Sequence, residues 1–294
     1  MLDFRIETFL TVCQYMNFTR AAHQLNMTQP AISQHIKYLE NKYETELFIR
    51  DKKQLRLTPA GEILRSALET MRNDETTLIS RMKESQQGRK ILTFGVTMTI
   101  GEYAIIPALS EFIKAHPDTD IHIRYGNTHT LLSYLREGEI DFAIVEGNFD
   151  DEHYETRVYK AEEYIAVASS NHKFAKKITS LRDLTSERLI TREQGSGTRA
   201  ILARALAIKN ISIRNFSKIV EVENIHAIVA LLKHDCGISF LYKAAVEQEI
   251  AEGTLSQIKL SDFMIVHDFA FIWNKDSVFS SEYEQIFREL KSYE

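Results

Sequence analysis

Leu2, Ile6, Phe9, Cys13 and Met16 recur every three or four places, the spacing of one helix face, and Asn17, which tolerates a left-handed backbone, is the expected stop. A short second helix follows. Thr19 offers a capping hydroxyl, Ala21, Ala22 and Leu25 form the inner side, and Asn26 ends it. Thr28 caps a third helix with Gln29 and Pro30 in its first turn. Ala31, Ile32, Ile36 and Leu39 make its apolar side, while Gln29, Ser33, Gln34 and Lys37 lie on the other. Residues 47–50 and 55–58 read as short strands around the basic hairpin Asp51-Lys52-Lys53-Gln54. From Pro59 to Gly88, Ala60, Leu64, Ala67, Met71, Leu78 and Met82 fall on a four-then-three spacing interrupted by Glu75, the seam of a dimerising coiled coil. A helix packed on its own domain is the alternative. Arg65, Glu69, Arg72, Asp74, Arg81 and Lys83 are the positions expected to face outward.

Beyond residue 88 the pattern changes to buried apolar runs alternating with amphipathic stretches. Strands are expected at 91–96, 121–125 and 142–145, with helices at 104–115 and 128–137 between them. A second set follows: strands at 164–168, 189–191, 219–222 and 237–241, and helices at 198–210 and 225–234. Strand and helix in alternation predict parallel, doubly wound sheets. The run 269–273 and a final helix, 280–290, lack a strand partner of their own and return to the first lobe. The fold class is therefore α/β: an N-terminal all-α winged helix-turn-helix (1–58), a linker helix (59–88) and a two-lobed domain of two doubly wound sheets (89–294). Lobe 1 covers about 89–162 and 266–294 and lobe 2 about 163–265, with crossings near 161–164 and 263–266 as the hinge.

Charge sharpens this division. The net charge is −5, but residues 1–90 hold 14 Lys and Arg against 11 Asp and Glu, and the remainder 22 against 30. The mildly basic part is the one with the helix-turn-helix, so DNA affinity has to come from where charges sit rather than how many there are. Gln29 and Gln34 match base-edge donors and acceptors, the Ala31 methyl suits a thymine methyl, and Thr28 and Ser33 reach phosphates. Arg50, Lys52, Lys53 and Arg56 on the wing serve the sugar-phosphate backbone or the minor groove. A merely solvated polar face is the bland alternative. Cys13 and Cys236 fall in different domains, so no structural disulfide is expected. No apolar run is long enough to span a membrane, and Asp3, Arg5 and Glu7 oppose a signal peptide; a cytoplasmic location is expected.

Phe18-Thr19-Arg20-Ala21-Ala22, Leu25, Thr28-Gln29-Pro30-Ala31-Ile32-Ser33, Ile36, Leu39-Glu40, Leu47-Phe48, Arg50 and Leu57-Thr58-Pro59-Ala60-Gly61 resemble the signature of the LysR-type transcriptional regulators. Met16 and Glu44 stand where that family usually has glycine. The resemblance implies DNA contacts through Thr19, Arg20, Thr28, Gln29, Pro30, Ala31, Ser33, Gln34, Lys37, Arg50, Lys52, Lys53, Arg56 and Thr58. It extends over the whole chain, since the C-terminal part resembles the periplasmic-binding-protein-like effector domain of the family. Expected partners are two-fold-related half-sites of duplex DNA, a second copy through the linker helix, a tetramer, and RNA polymerase. Bound to its operator, the protein is expected on the nucleoid.

Ligands of such sheets sit beyond the carboxyl ends of strands, where helix N-termini point free N–H groups. Two segments are placed there. Thr97, Met98, Thr99, Gly101, Glu102 and Tyr103 precede one helix on a backbone expected to be flexible, and Gly195, Ser196, Gly197, Thr198 and Arg199 open another. Asn127, Thr128 and Glu146 add polar groups to the rim. Facing each other, the segments are expected to hold a small effector, a carboxylate or oxyanion; an ordinary helix cap is the alternative for 193–199. The glycine-rich stretch has no P-loop lysine, and Ser196 has no His and acid in register. The ten histidines show no ligand spacing, and His122, His129, His226 and His267 are read as rim or core residues. No catalytic group, metal or cofactor is expected. A transporter's solute-binding protein and an α/β enzyme are the competing classes.

Overall fold

The computed structural model describes residues 3–51, 54–87, 90–147, 149 and 151–294. The helix-turn-helix comprises α1 (Phe4–Tyr15), α2 (Phe18–Gln24) and α3 (Gln29–Tyr43), and the wing is the antiparallel pair β1 (Phe48–Asp51) and β2 (Gln54–Leu57). Ile6, Phe9, Val12, Ala21, Ile32, Ile36 and Leu39 close one core, completed by Leu68 of the next helix. Asn17 does not end α1. Its side chain accepts from the Thr19 and Arg20 amides and caps α2, so Thr19 is inside the helix rather than its cap. The left-handed turn falls one residue earlier, on Met16 at φ 44°, and Glu44 ends α3 the same way at φ 52°.

Helix α4 (Pro59–Gln87) carries two faces at once. Its apolar stripe is open to solvent from Ala67 onward, with Met71 53% and Met82 61% exposed alongside Leu78, whereas Leu64 packs on the N-terminal core. The side expected to be outward is docked. Asn73, 2% exposed, donates from Nδ2 to the carbonyls of Leu135 and Ile140, Thr70 donates to the Lys275 carbonyl, and Asp74 accepts from Ser277 and the Val278 amide. Arg72 donates to the Arg136 carbonyl, and Arg81 pairs with Glu282 and stacks on Phe279. Arg65 pairs with Glu62 on the helix itself, Glu69 is half-buried, and the Lys83 side chain lies outside the described residues. Three of the six positions expected to be solvated, Arg72, Asp74 and Arg81, are thus contacts to the C-terminal domain.

The C-terminal domain begins with β3 (Lys90–Thr97), a π-helical turn at Ile100–Ala104, α5 (Ile106–Ala115), β4 (Thr119–Gly126), α6 (Thr128–Glu137) and β5 (Phe142–Val145). The π turn replaces the flexible backbone expected before α5. Next, β6 (Tyr154–Ser169) is one sixteen-residue strand, followed by β7 (Arg188–Thr191), α7 (Gly197–Ile208), β8 (Lys218–Glu221), α8 (Ile225–Lys233) and β9 (Ile238–Tyr242). Helix α9 (Glu247–Ala251), β10 (Leu255–Ile258), β11 (Ile265–Asn274) and α10 (Ser280–Ser292) complete the chain.

The two sheets are joined rather than separate, in the order β4-β3-β5-β11-β6-β9-β7-β8 with β10 also on β6. Residues 154–164 of β6 pair with β11 in the first lobe, and residues 164–169 pair with β9 and β10 in the second. The crossings are therefore two paired strands, with Ala161 opposite Asp268 and Tyr164 opposite Ile265. β11 returns to lobe 1 antiparallel to β5, as the unpartnered apolar run required.

Forcing a side chain into the left-handed region costs about 1 kcal/mol, which glycine avoids at some loss of chain entropy. We expect Met16→Gly and Glu44→Gly each to stabilise the N-terminal domain by about 0.5 kcal/mol in urea unfolding. A loss of stability in both would show that neither turn is strained.

Candidate functional site

Threonine at position 28 starts α3 because its hydroxyl accepts from the Ala31 amide at 3.4 Å, leaving Gln29, Pro30, Gln34 and Lys37 exposed and Ala31 and Ser33 half-exposed. The Gln29 side chain donates to the Ser33 hydroxyl at 2.8 Å, so these two are pre-aligned on one face. Thr19, Arg20, Arg50 and Arg56 are exposed. Lys52 and Lys53 lie outside the described residues. The Thr58 hydroxyl is engaged: it donates to the Glu46 carbonyl at 2.7 Å and accepts from the Gly61 amide at 2.9 Å, capping α4 instead of pointing outward.

In the C-terminal domain the two expected loops do meet, and what lies between them is Glu146. This residue follows β5, whose four residues are all buried, and it is itself only 1% exposed. Its Oε1 accepts from the hydroxyls of Thr198 at 2.6 Å and Thr99 at 3.3 Å, and its Oε2 from Thr97 at 3.1 Å. The Thr128 hydroxyl donates to the Glu146 carbonyl at 2.7 Å. A position expected to add polar groups to the rim is therefore the centre of the cluster. The hydroxyls expected for an anion hold the protein's own carboxylate, and through Thr198 they tie lobe 2 to lobe 1. Burial pushes the Glu146 carboxyl up, opposed by the threonine hydrogen bonds and the charge of Arg192.

Close backbone approach makes this contact. A Cβ on Gly197 would lie 2.2 Å from the Glu146 carbonyl oxygen, and one on Gly147 would lie 2.5 Å from the Gly197 Cα. Only glycine at both places lets the end of β5 touch the start of α7. Further bonds cross between the lobes: the Asn127 amide to Glu193 at 3.3 Å, the His129 N–H to the Gly195 carbonyl at 3.5 Å, and Tyr103 Oη with His226 Nδ1 at 3.0 Å. Glu102 pairs with His226 Nε2 at 3.0 Å. Gly101 is packed under the Tyr125 ring, while Met98 lines a pocket of about 380 Å³ with Asn127, Arg192, Glu193 and Glu223. A second pocket, of about 360 Å³, has Thr128, Phe149, Gly195, Ser196, Gly197 and Arg199 in its wall.

Sequence reasoning passes over Arg192, which stands just beyond β7 and is 3% exposed. Its Nε and Nη2 donate to Glu193, but its Nη1 is buried with no acceptor, as is the hydroxyl of Ser196. The signal available is position: Arg192 lies at the carboxyl end of a central strand, where ligands gather. Arg199 is turned away to the Arg192 carbonyl and Glu221. No group of three or more His, Cys, Asp or Glu side chains able to hold a metal occurs among the described residues.

A carboxyl whose folded-state pKa is raised contributes its stability below the unfolded value, ordinarily 4.5, and that contribution disappears as pH rises through the folded value. Wild type should therefore lose stability relative to Glu146→Gln as pH climbs from acid to neutral, by about 1.4 kcal/mol for every tenfold by which folding tightens the carboxyl's hold on its proton. Urea unfolding of both proteins across that range checks this. A difference independent of pH would mean that Glu146 does not titrate with folding.

Residues 5–62 match the sequence family described as bacterial regulatory helix-turn-helix protein, lysR family, and residues 85–293 match the LysR substrate binding domain. The chain is 27% identical over 269 residues to the HTH-type transcriptional regulator CysL of Bacillus subtilis, covering 91% of this chain and 89% of that one. Its fold is similar to that of Corynebacterium glutamicum OxyR, with a TM-score of 0.60 and 23% identity over 98% of this chain and 91% of the other. The regulatory domain of Synechocystis CcmR, solved with 2-PG, covers 69% of this chain with a TM-score of 0.61 and 20% identity, over 97% of that domain. With both of its parts matched in their family order, the chain belongs to the LysR-type transcriptional regulators.

Proposed function

We propose that this regulator reads two-fold-related half-sites of duplex DNA with α3, as a dimer joined through α4 that pairs further into a tetramer, and that an effector between the lobes alters that binding. The observation that carries the DNA reading is the exposed face of α3 over its first two and a half turns, where Gln29, Gln34 and Lys37 stand clear of the core. Residues 1–58 are the DNA-binding unit, 59–88 the linker and 89–294 the sensing unit. The dimer reading draws on the exposed stripe of Ala67, Met71, Leu78 and Met82, which leaves a two-residue-per-heptad apolar face in water. A cytoplasmic protein that sits on the nucleoid and acts on RNA polymerase follows from this role, and among the described residues no helix is long and apolar enough to cross a membrane.

The effector reading rests on the interlobe pockets and their two buried donors, Arg192 Nη1 and Ser196 Oγ, which call for an oxygen acceptor such as a carboxylate or oxyanion. The CcmR regulatory domain, which has a similar fold, was solved in complex with 2-PG, and a small-molecule effector for this domain is in keeping with that. Closure or opening of the lobes about β6 and β11 would reset the angle between half-site readers and hence DNA bending.

A gel shift with the DNA upstream of the protein's own gene should show salt-sensitive binding at nanomolar to micromolar protein; none at low salt would sink the reading. Gln34→Ala should relax base preference by about 1–3 kcal/mol, whereas Arg50→Ala should weaken binding evenly and lower the salt slope by about one. For the dimer, Met71→Glu combined with Leu78→Glu should yield folded monomer in sedimentation. An unchanged dimer would remove α4 as its seam.

A further inference from the structure

We infer that α6 carries the state of the interlobe cleft to the linker helix, so that a change at the cleft reaches the DNA-binding unit through the two ends of one helix. This rests on the effector reading above and names the element through which that site acts on DNA binding.

Every helix ends in amide and carbonyl groups that find no partner inside it. In α6 both sets are met by other units of the protein. At its start, Asn127 accepts from the Thr130 amide at 2.9 Å through Oδ1, and the same side chain donates from Nδ2 to Glu193 of lobe 2 at 3.3 Å. The His129 amide donates to the Gly195 carbonyl of lobe 2 at 3.5 Å, and the Thr128 hydroxyl donates to the Glu146 carbonyl. A Cβ on Gly195 would lie 3.5 Å from the Cβ of His129, so the backbone of lobe 2 touches the first turn of α6. The cap of this helix is therefore shared with the opposite lobe, and separating the lobes strips it of its outer partner.

The other end of α6 rests on the linker. Arg72 Nη2 donates to the Arg136 carbonyl at 2.7 Å, and Asn73 Nδ2 donates to the carbonyls of Leu135 at 3.1 Å and Ile140 at 3.2 Å. Gly138 ends α6 at φ 73°, and a Cβ there would stand 3.1 Å from both the Asn73 Cα and the Thr76 Oγ1. Glycine is what lets the two helices approach so closely. Arg72 also faces Glu7 of α1 at 3.7 Å, and Glu7, Gln14, Arg72, Ser133 and Arg136 share the walls of one pocket of about 460 Å³, so α1, α4 and α6 meet at this junction.

Ten residues at 1.5 Å each set the two junctions about 15 Å apart. Leu131 and Leu135, both fully buried, seat one face of α6 on the apolar core of lobe 1, the kind of contact along which packed helices shift by about 1–2 Å. A shift at Asn127 is passed to Asn73 because the helix between them is continuous. Thr70, Asp74 and Arg81 also fasten α4 to lobe 1, through the Lys275 carbonyl, Ser277, the Val278 amide and Glu282. Among the described residues none of those four makes a hydrogen bond or ion pair to lobe 2, so they anchor the linker without sensing the cleft.

Gel shifts of the full-length protein on the DNA upstream of its own gene test the route by coupling. We expect Thr198→Val, which removes the hydroxyl joining lobe 2 to Glu146, to change DNA affinity by about fivefold or more. The same substitution should have no effect once Asn73→Ala is present, because contacts on one path are not additive. Arg72→Met, at a side chain 25% exposed, repeats that arm with little risk to folding. Arg81→Met frees α4 from Glu282 rather than from α6 and should leave the Thr198→Val effect intact. The inference is overturned if Thr198→Val leaves DNA affinity unchanged, if its effect persists beside both Asn73→Ala and Arg72→Met, or if Arg81→Met abolishes it as fully as they do. Absence of DNA binding by the unsubstituted protein is a different result and strikes at the regulator reading itself.

Discussion

The pairing of β6 with β11 is the constraint on which the sensing half is built. Because residues 154–164 of β6 belong to one lobe and 164–169 to the other, the lobes share a continuous hydrogen-bonded strand. Paired strands bend and twist, but they resist sliding. The shared pair thus opposes sliding of one lobe past the other and sets which loops, at the ends of β3, β5 and β7, face one another. That placement brings Glu146 on one lobe to within 2.6 Å of Thr198 on the other and makes glycine necessary at 147 and 197.

Within that frame, electrostatics sets the terms on which the lobes meet. A carboxylate removed from water is unfavourable unless hydrogen bonds or a counterion replace its hydration. Glu146 has three hydroxyls, which is enough to seat it without neutralising it, and burial accordingly raises its carboxyl pKa. The loops at Glu146 thus meet through polar contacts that a competing polar molecule is able to exchange, whereas a single apolar cluster runs through both lobes, from Phe94 and Phe271 to Leu202 and Phe240. Such a contact is compatible with the lobe movement proposed above.

Much of the architecture is legible in the sequence because local pattern and burial agree. The helix 128–137 and the strand 142–145 fall where the apolar spacing puts them, and Thr28 caps α3 through its hydroxyl as its position before Gln29-Pro30 implies. Residues 154–163 do not read as strand: Glu155, Arg157, Lys160, Glu162 and Glu163 give the segment a polar look, and its pairing with β11 comes from a partner about a hundred residues away in sequence. The candidate loops are visible in the sequence, but the part played by Glu146 is not. Its hydroxyl partners come from Thr97, Thr99 and Thr198, so its burial is a property of the assembled lobes rather than of any stretch of chain. The linker shows the same limit. An apolar stripe is visible in a sequence, whereas the polar side that docks through Asn73 looks like any solvated face.

That docked side makes α4 a lever. Leu68 roots its beginning in the core of the DNA-binding domain, and Asn73, Asp74 and Arg81 fasten its later turns to lobe 1. Between Leu68 and Arg81 the helix rises about 20 Å at 1.5 Å per residue, so a tilt of about 5° at one anchor displaces the other by about 2 Å. A rearrangement of the sensing lobes would therefore reach the helix-turn-helix through one rigid element rather than through a slack tether.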